Sequence, residues 1–474
     1  MTTTPPKKWT VLIYFAGDNN LAEECVYALK EMKETGTQDE KSAAANAPPK
    51  VNVVAQFDPV GRGNPTLRFK IKGAGGDGTL KHDVTKELPE SDTGYWRNLL
   101  RFLCESLEDA DNRADYYMVI LSGHASGARE GFFLQDEERP LSSIPSSFPI
   151  WKLKNVFGNP DLKKALRGKK IDILGFDACM MSTTEVCYEL RNADLQYIIG
   201  SEGFTLNSGW PIQRIVAKLR EDPATPPETL ADFIVKDYTK FYSDYFLGGL
   251  SADMSLINLR RIGDLRRAID RLAEALISEF ENERSAINDE YYVEGGKPFQ
   301  DAILLAHWAA QSYNGEQCVD LYDFCDLLQK RWHEDQSEDS VWQCCERVKS
   351  VIAEGDNRLV QKSVFTGAAF QYSYGVSLYF PWAKFDNAPG YKLLAFADGD
   401  SAWPKFLKKY LDATQRRPRV DEIELRDTPP MNRGPGGKIY TMRNPPTGRP
   451  RSAVPASQSN GKTRAGRRRR TQPR

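Results

Sequence analysis

The chain has 474 residues, 40% of them hydrophobic and 27% charged, with a formal net charge of −1. That length allows two or three domains with an ample core, and the balance excludes a wholly disordered or fibrous chain. No apolar run approaches a membrane span, so no membrane partner is expected. Residues 1–9 lack the apolar stretch of a signal peptide, and the eight cysteines follow neither a disulfide framework nor zinc-site spacing. A cytoplasmic protein without structural metal is expected.

Trp9 to Ala16 is a continuous apolar strand, after which Leu21, Cys25, Ala28, Leu29 and Met32 mark one face of a helix ending near Gly36. Residues 37–50 form a polar loop. Val51–Phe57 and Leu67–Lys72 are predicted to pair as a hairpin. The glycine-rich run Gly73–Gly78 lacks the Gly-Lys-Ser/Thr ending of a phosphate loop and is assigned as a flexible connection. A helix from about Tyr95 to Leu107 precedes a second apolar strand, Tyr116–Leu121, which ends in Ser122-Gly123-His124.

The stretch Leu141–Phe148 is a Ser/Pro loop with Arg139, Lys152 and Lys154 nearby, the composition of an exposed protease target. Ile171–Phe176 is a further buried strand and runs through Asp177-Ala178 into Cys179, with a helix expected from Met180 to Asn192. A thiol at such a junction would face the positive end of the helix dipole, which favours thiolate. If the two strands are parallel neighbours, His124 and Cys179 emerge at one sheet edge, as a Cys/His nucleophile pair requires. The alternative, an inert buried cysteine, is common. Elimination favours the pair: His82, His307 and His333 lie in polar or helical runs, and only His124 joins a strand end to nearby glycine.

The strand Tyr197–Ile199 and a helix from Pro211 complete an alternation of strands and helices. Strands without polar alternation imply a sheet covered on both faces, hence a three-layer α/β sandwich with a mainly parallel sheet. Three regions are expected: a catalytic domain over 1–245, a mostly helical C-terminal module over 246–415, and a disordered basic tail over 416–474. The module contains helices Ile262–Phe280, Leu321–Trp332 and Trp403–Leu411, and strand-like regions Ala252–Leu259 and Val364–Phe380, where Phe370, Tyr372 and Tyr374 alternate. From Arg433 to Arg474 there are twelve Lys and Arg and no Asp or Glu, so the tail carries +12 and the remainder −13. Such a tail is either a solvated extension or a contact for nucleic acid.

The motifs Trp9-Thr10-Val11-Leu12-Ile13-Tyr14 with Gly17-Asp18-Asn19-Asn20-Leu21, Leu121-Ser122-Gly123-His124, Asp177-Ala178-Cys179-Met180 and Tyr374–Pro381 together resemble the clostripain-like cysteine peptidases, family C11, over most of residues 9–412. The resemblance implies a caspase-like fold and cleavage after Arg or Lys in protein or peptide substrates. In this reading Cys179 attacks, His124 moves the proton, and an acyl-enzyme thioester forms and is hydrolysed. No third residue is evident. The oxyanion would be held by backbone N–H groups of Cys179 and of Gly123 to Ala125. Asp177 would line the pocket for the basic side chain, with Glu202 and Asp18 adding negative potential from the same sheet edge; its alternative role is a helix cap. The resemblance also implies self-cleavage between His124 and Cys179, after Arg139, Lys152 or Lys154. No cofactor is required; some relatives respond to calcium, but the chain has no EF-hand loop. The wider caspase-like group places Gly after the histidine, where this chain has Ala125, so the competing reading is an inactive binding module whose tail contacts nucleic acid or an acidic partner.

Overall fold

Alternation along the first strand organises the molecule. In β1 (Lys7–Gly17) the side chains of Trp9, Val11, Ile13 and Phe15 enter one apolar cluster, and those of Leu12, Tyr14 and Ala16 enter a second. A strand buried on both faces has to lie inside a sheet with a helical layer on each side. The computed structural model describes residues 7–38, 50–61, 63–72, 79–89, 95–130, 132–136, 146–244, 251–281, 298–313, 317–332, 334–382 and 390–415. Arg139, the Gly73–Gly78 run, His333 and the tail from 416 onward lie outside the described residues.

The remaining strands are β2 (Asn52–Pro59), β3 (Thr66–Lys70), β4 (Val84–Leu88), β5 (Ala114–Ser122), β6 (Phe132–Asp136), β7 (Ser146–Pro149), β8 (Ile171–Asp177), β9 (Leu195–Gly200), β10 (Ala252–Asn258), β11 (Ser312–Tyr313), β12 (Cys318–Asp320), β13 (Val360–Thr366) and β14 (Ser377–Tyr379). Nine form one sheet in the order β13-β10-β9-β8-β5-β1-β2-β3-β4. Its central five, β9 to β2, are parallel, and each end carries two antiparallel strands. Helices Ala22–Thr35, Ile212–Glu221 and Pro227–Asp244 cover one face; Trp96–Glu108, Pro160–Leu166 and Ile262–Glu281 cover the other. This is the α/β sandwich that the apolar strands imply.

Two expectations change. The composition shift near residue 245 does not mark off a separate module, because β10 pairs with β9 and β13 with β10, and Leu259, Leu359 and Trp403 share a core with Leu121 and Phe176. Antiparallel pairing here continues the sheet beyond what would otherwise be an open edge. Within Val364–Phe380 the chain leaves the sheet after Thr366, makes a 3₁₀ turn at Ala368–Phe370, and continues as β14, which pairs with β12 in a separate three-stranded sheet. Phe370 packs on Tyr313 at 5.7 Å and Tyr374 stacks on Tyr322 at 4.2 Å, so the alternation of aromatics reflects two separate packing contacts.

Candidate active site

β5 and β8 are parallel neighbours with Ser122 opposite Asp177, so the chains leaving them emerge at one edge. His124 and Cys179, each two residues beyond its strand, line a single cavity together with Asp177. The cavity lies beside the point where the strand order reverses, with β2 on one side of β1 and β5 on the other. That is the edge at which open α/β sheets bind ligands.

His124 is half-buried, and its Nε2 lies 2.5 Å from Asn20 Oδ1. An amide oxygen only accepts, so this contact calls for the proton on Nε2. Asn20 is the orienting partner that sequence reading missed. Its signal was a polar run, Asp18-Asn19-Asn20, directly after a wholly buried strand. His307, by contrast, is 1% exposed and stacked between Phe380 and Trp382 at 3.7 and 3.8 Å, with Nε2 2.9 Å from the Phe380 carbonyl. It is a core histidine. His82 is exposed in the turn Leu80–Asp83.

The surroundings of Cys179 differ from expectation. Met180–Ser182 is not helical; the helix spans Thr184–Glu189, and its cap is Thr183, whose side chain accepts the Val186 N–H. Cys179 therefore sits in a turn ahead of the helix, out of reach of its first-turn N–H groups. Burial pushes the thiol pKa up, Asp177 and Asp253 add to the effect, and Sγ donates to the Thr205 carbonyl at 3.7 Å. These surroundings favour the thiol form of Cys179 over the thiolate. Met180 follows in the left-handed region at φ 55, a conformation costing a non-glycine residue about 1 kcal/mol, and its N–H is held by the Gly203 carbonyl at 2.9 Å. Cys25 also lines the cavity, but burial, Asp177 and Glu24 push its thiol up to about 12.

Gly123 cannot serve as an oxyanion donor, because its N–H bonds the Asp177 carbonyl at 3.1 Å. The N–H groups of Cys179 and Ala125 remain the candidates. Among the described residues the non-glycine positions with positive φ are Leu134, Arg167 and Met180, so Ala125 needs no glycine-only backbone.

Asp177 is 7% exposed. Its Oδ2 accepts from the Ser122 hydroxyl at 2.8 Å, while Oδ1 has no hydrogen-bond partner. Burial pushes its carboxyl up to about 6, with the Ser122 hydroxyl and the nearby Trp210 N–H acting in the opposite direction. Gly209 has φ 65, and a Cβ there would stand 2.8 Å from Asp177 Oδ2. Trp210, another lining residue, packs over Gly175, where a Cβ would come within 2.7 Å of the ring. Leu21, Glu24, Ala28 and Thr205–Ser208 complete the walls. The segment 205–210 and Glu24 were not foreseen as parts of the site.

Neither Glu202 nor Asp18 lines this cavity, contrary to expectation. Asp18 Oδ1 accepts the Gly61 N–H at 3.2 Å. Glu202 is fully buried and turns toward Asp253 and Asp320. Its Oε2 accepts the Gly375 N–H at 2.8 Å, Asp320 accepts the N–H groups of Asp323 and Tyr374, and Asp253 accepts those of Glu202 and Gly203 at 2.7 and 3.0 Å. Burial, reinforced by Asp320 and Asp253, raises Glu202 well above the carboxylate range, so that it holds a proton beside Asp320. The pull of Gly375 and Asp320 outweighs the topology that brought Glu202 to the edge.

Of the self-cleavage candidates, Lys152 ends the 3₁₀ turn Ile150–Lys152, and Lys154 lies in helix Leu153–Phe157 with Nζ 3.8 Å from the buried Glu189 carboxylate. Neither is presented on extended backbone. Part of the expected Ser/Pro loop is instead β7, where Phe148 is buried. Arg139 falls between Asp136 and Ser146, the paired ends of hairpin β6–β7. Among the described residues, no group of three or more His, Cys, Asp and Glu side chains is arranged to hold a metal ion.

The model of the Peptidase_C11, or clostripain, family matches residues 13–410, and the chain belongs to that family. Clostripain from Hathewaya histolytica is 25% identical over 383 residues, a match covering 68% of this chain and 66% of that relative's own length, just under two thirds. Two solved structures share the fold. A secreted C11 cysteine protease from Bacteroides thetaiotaomicron in complex with an irreversible peptide inhibitor is 19% identical with a TM-score of 0.55, covering 85% of this chain and 99% of that one. An inactive zymogen C11 protease from Parabacteroides distasonis is 18% identical with a TM-score of 0.52, covering 83% and 98%.

Proposed function

We propose that this chain is a cysteine endopeptidase that cuts peptide bonds after Arg or Lys. The observation that carries the reading is the single cavity shared by Cys179, His124 and Asp177, each delivered by the end of one of two adjacent parallel strands. His124, oriented by Asn20, takes the thiol proton as substrate binds, and Sγ attacks the scissile carbonyl carbon. The oxyanion accepts from the Cys179 and Ala125 N–H groups. His124 returns the proton to the departing amine, the C–N bond breaks, and a thioester remains. Water, losing a proton to His124, hydrolyses the thioester and restores the thiol. Asp177 receives the basic side chain: an ionised carboxylate with one unpartnered oxygen pairs strongly with guanidinium or ammonium in a partly dry pocket. Eight free cysteines support a reducing compartment such as the cytoplasm.

Self-cleavage, where it occurs, falls after Arg139, because Lys152 and Lys154 are held in helical turns. Fluorogenic peptides ending in Arg, Lys or a neutral residue, assayed with the wild type and Cys179→Ala, test the whole reading. Turnover of the basic peptides by the wild type alone is expected; equal turnover by the variant refutes it. Intact-mass analysis of the same two samples should find a cut after Arg139 only in the wild type.

A further inference from the structure

The cavity contains a second acid that the proposed reading does not use. Glu24 lies on helix Ala22–Thr35, which follows β1, whereas Asp177 closes β8, so the two carboxylates reach the cavity from different elements. Both residues line the same cavity, as does Cys25, which follows Glu24 in the chain. Glu24 is half-buried and makes no ion pair among the described residues. Asp177 is buried, its Oδ1 makes no hydrogen bond, and the Trp210 N–H lies near the carboxyl, so one acceptor oxygen is left for a ligand donor. Among the described residues that line the cavity only His124 can be cationic, and Phe15, Leu21, Ala28, Leu206 and Trp210 give it apolar walls of the kind a methylene stem packs on.

We propose that Glu24 is a specificity-determining residue of this pocket, and that together with Asp177 it selects a guanidinium over an ammonium. The inference rests on the proposed peptidase reading. Guanidinium is planar and spreads five N–H donors over a fork, so it can serve two acceptors that approach from different directions, whereas an ammonium is a compact charge that settles on one. Asp177 would then supply most of the attraction for either base, and Glu24 the difference between them.

The test is kcat and KM for wild type and Glu24→Gln on three peptides identical except for Arg, Lys or citrulline before the scissile bond, citrulline having the shape of Arg without its charge. The wild type should prefer Arg to Lys and both to citrulline. Glu24→Gln should lower kcat/KM for Arg roughly tenfold through KM, the scale of one partly exposed charge-assisted contact, lower Lys much less, and leave citrulline unchanged. An unchanged Arg-to-Lys ratio would overturn the role of Glu24. So would an equal fall on all three peptides, which marks a structural effect. A wild type that turns over citrulline as well as Arg refutes the underlying specificity instead, so the two failures are distinguishable.

Discussion

Asp177 and the buried acids Glu202, Asp253 and Asp320 have opposite fates. Asp177 opens onto a cavity and keeps one oxygen without a partner. Glu202, Asp253 and Asp320 are sealed, and together they accept five backbone N–H groups, from Glu202, Gly203, Asp323, Tyr374 and Gly375. Burial raises the carboxyls in both places, so a raised acid alone does not identify a binding site. The distinction lies in what each acid faces: Asp177 lines the cavity beside Cys179, and none of Glu202, Asp253 and Asp320 does. The sealed group fastens the loop after β9 to β10 and β12: Asp253 holds Gly203, whose carbonyl fixes Met180, and Thr205 in the same loop accepts the Cys179 thiol.

The comparison predicts different kinds of damage. Asp177→Asn should lower kcat/KM for Arg peptides by at least about a hundredfold while leaving iodoacetamide labelling of Cys179 intact, because the buried site then lacks the charge that matches a cation. Equal losses on neutral peptides would break the distinction. Asp253→Asn should instead lower stability by about 1–3 kcal/mol, because an amide presents a donor to one of the two N–H groups now accepted, and it should slow all peptides alike. Chemical denaturation and the same peptide set measure this.

Stability and activity are expected to follow opposite pH trends. Asp177 and Asp253 are pushed up to about 6, and Asp320 and Glu185 to about 7. Acids raised by folding favour the native state while protonated, so their contribution is fully present below the ordinary carboxylate range near pH 4 and is lost as pH rises through about 7. Thermal melting should register that decline as a falling Tm. Activity on Arg peptides should rise through about pH 6 as Asp177 ionises, and the rise should vanish in Asp177→Asn. The smallest expected effect is Glu202→Gln. It replaces an acid that already holds its proton with a neutral isostere, so stability and kcat should change by less than about 1 kcal/mol and twofold.

The legible part of the sequence was the part dictated by long apolar runs. β1, β5, β8 and β9 declare themselves because strands buried on both faces contain little else, and their parallel order puts Ser122 opposite Asp177. His124, Cys179 and Asp177 follow from those strand ends. Asn20, Glu24 and the segment 205–210 do not, since Asn20 reaches His124 and the others reach the cavity by tertiary contact, and no local period marks them. The same limit explains the errors. Topology carried Glu202 and Asp18 to the right edge, but side-chain direction was decided by distant backbone donors at Gly375 and Gly61. The helix after Cys179 was placed too early because Met180–Ser182 is apolar enough to read as a first turn, whereas the bond from Met180 to Gly203 holds it left-handed.

The most direct measurement is covalent labelling by a peptide with Arg next to a thiol-reactive ketone, followed by mass spectrometry of the modified protein. One label on Cys179 is expected, slowed in His124→Ala and strongly reduced in Asp177→Asn. A label on Cys25 or another thiol, or labelling of Cys179 that ignores both the Arg side chain and Asp177, would contradict the account.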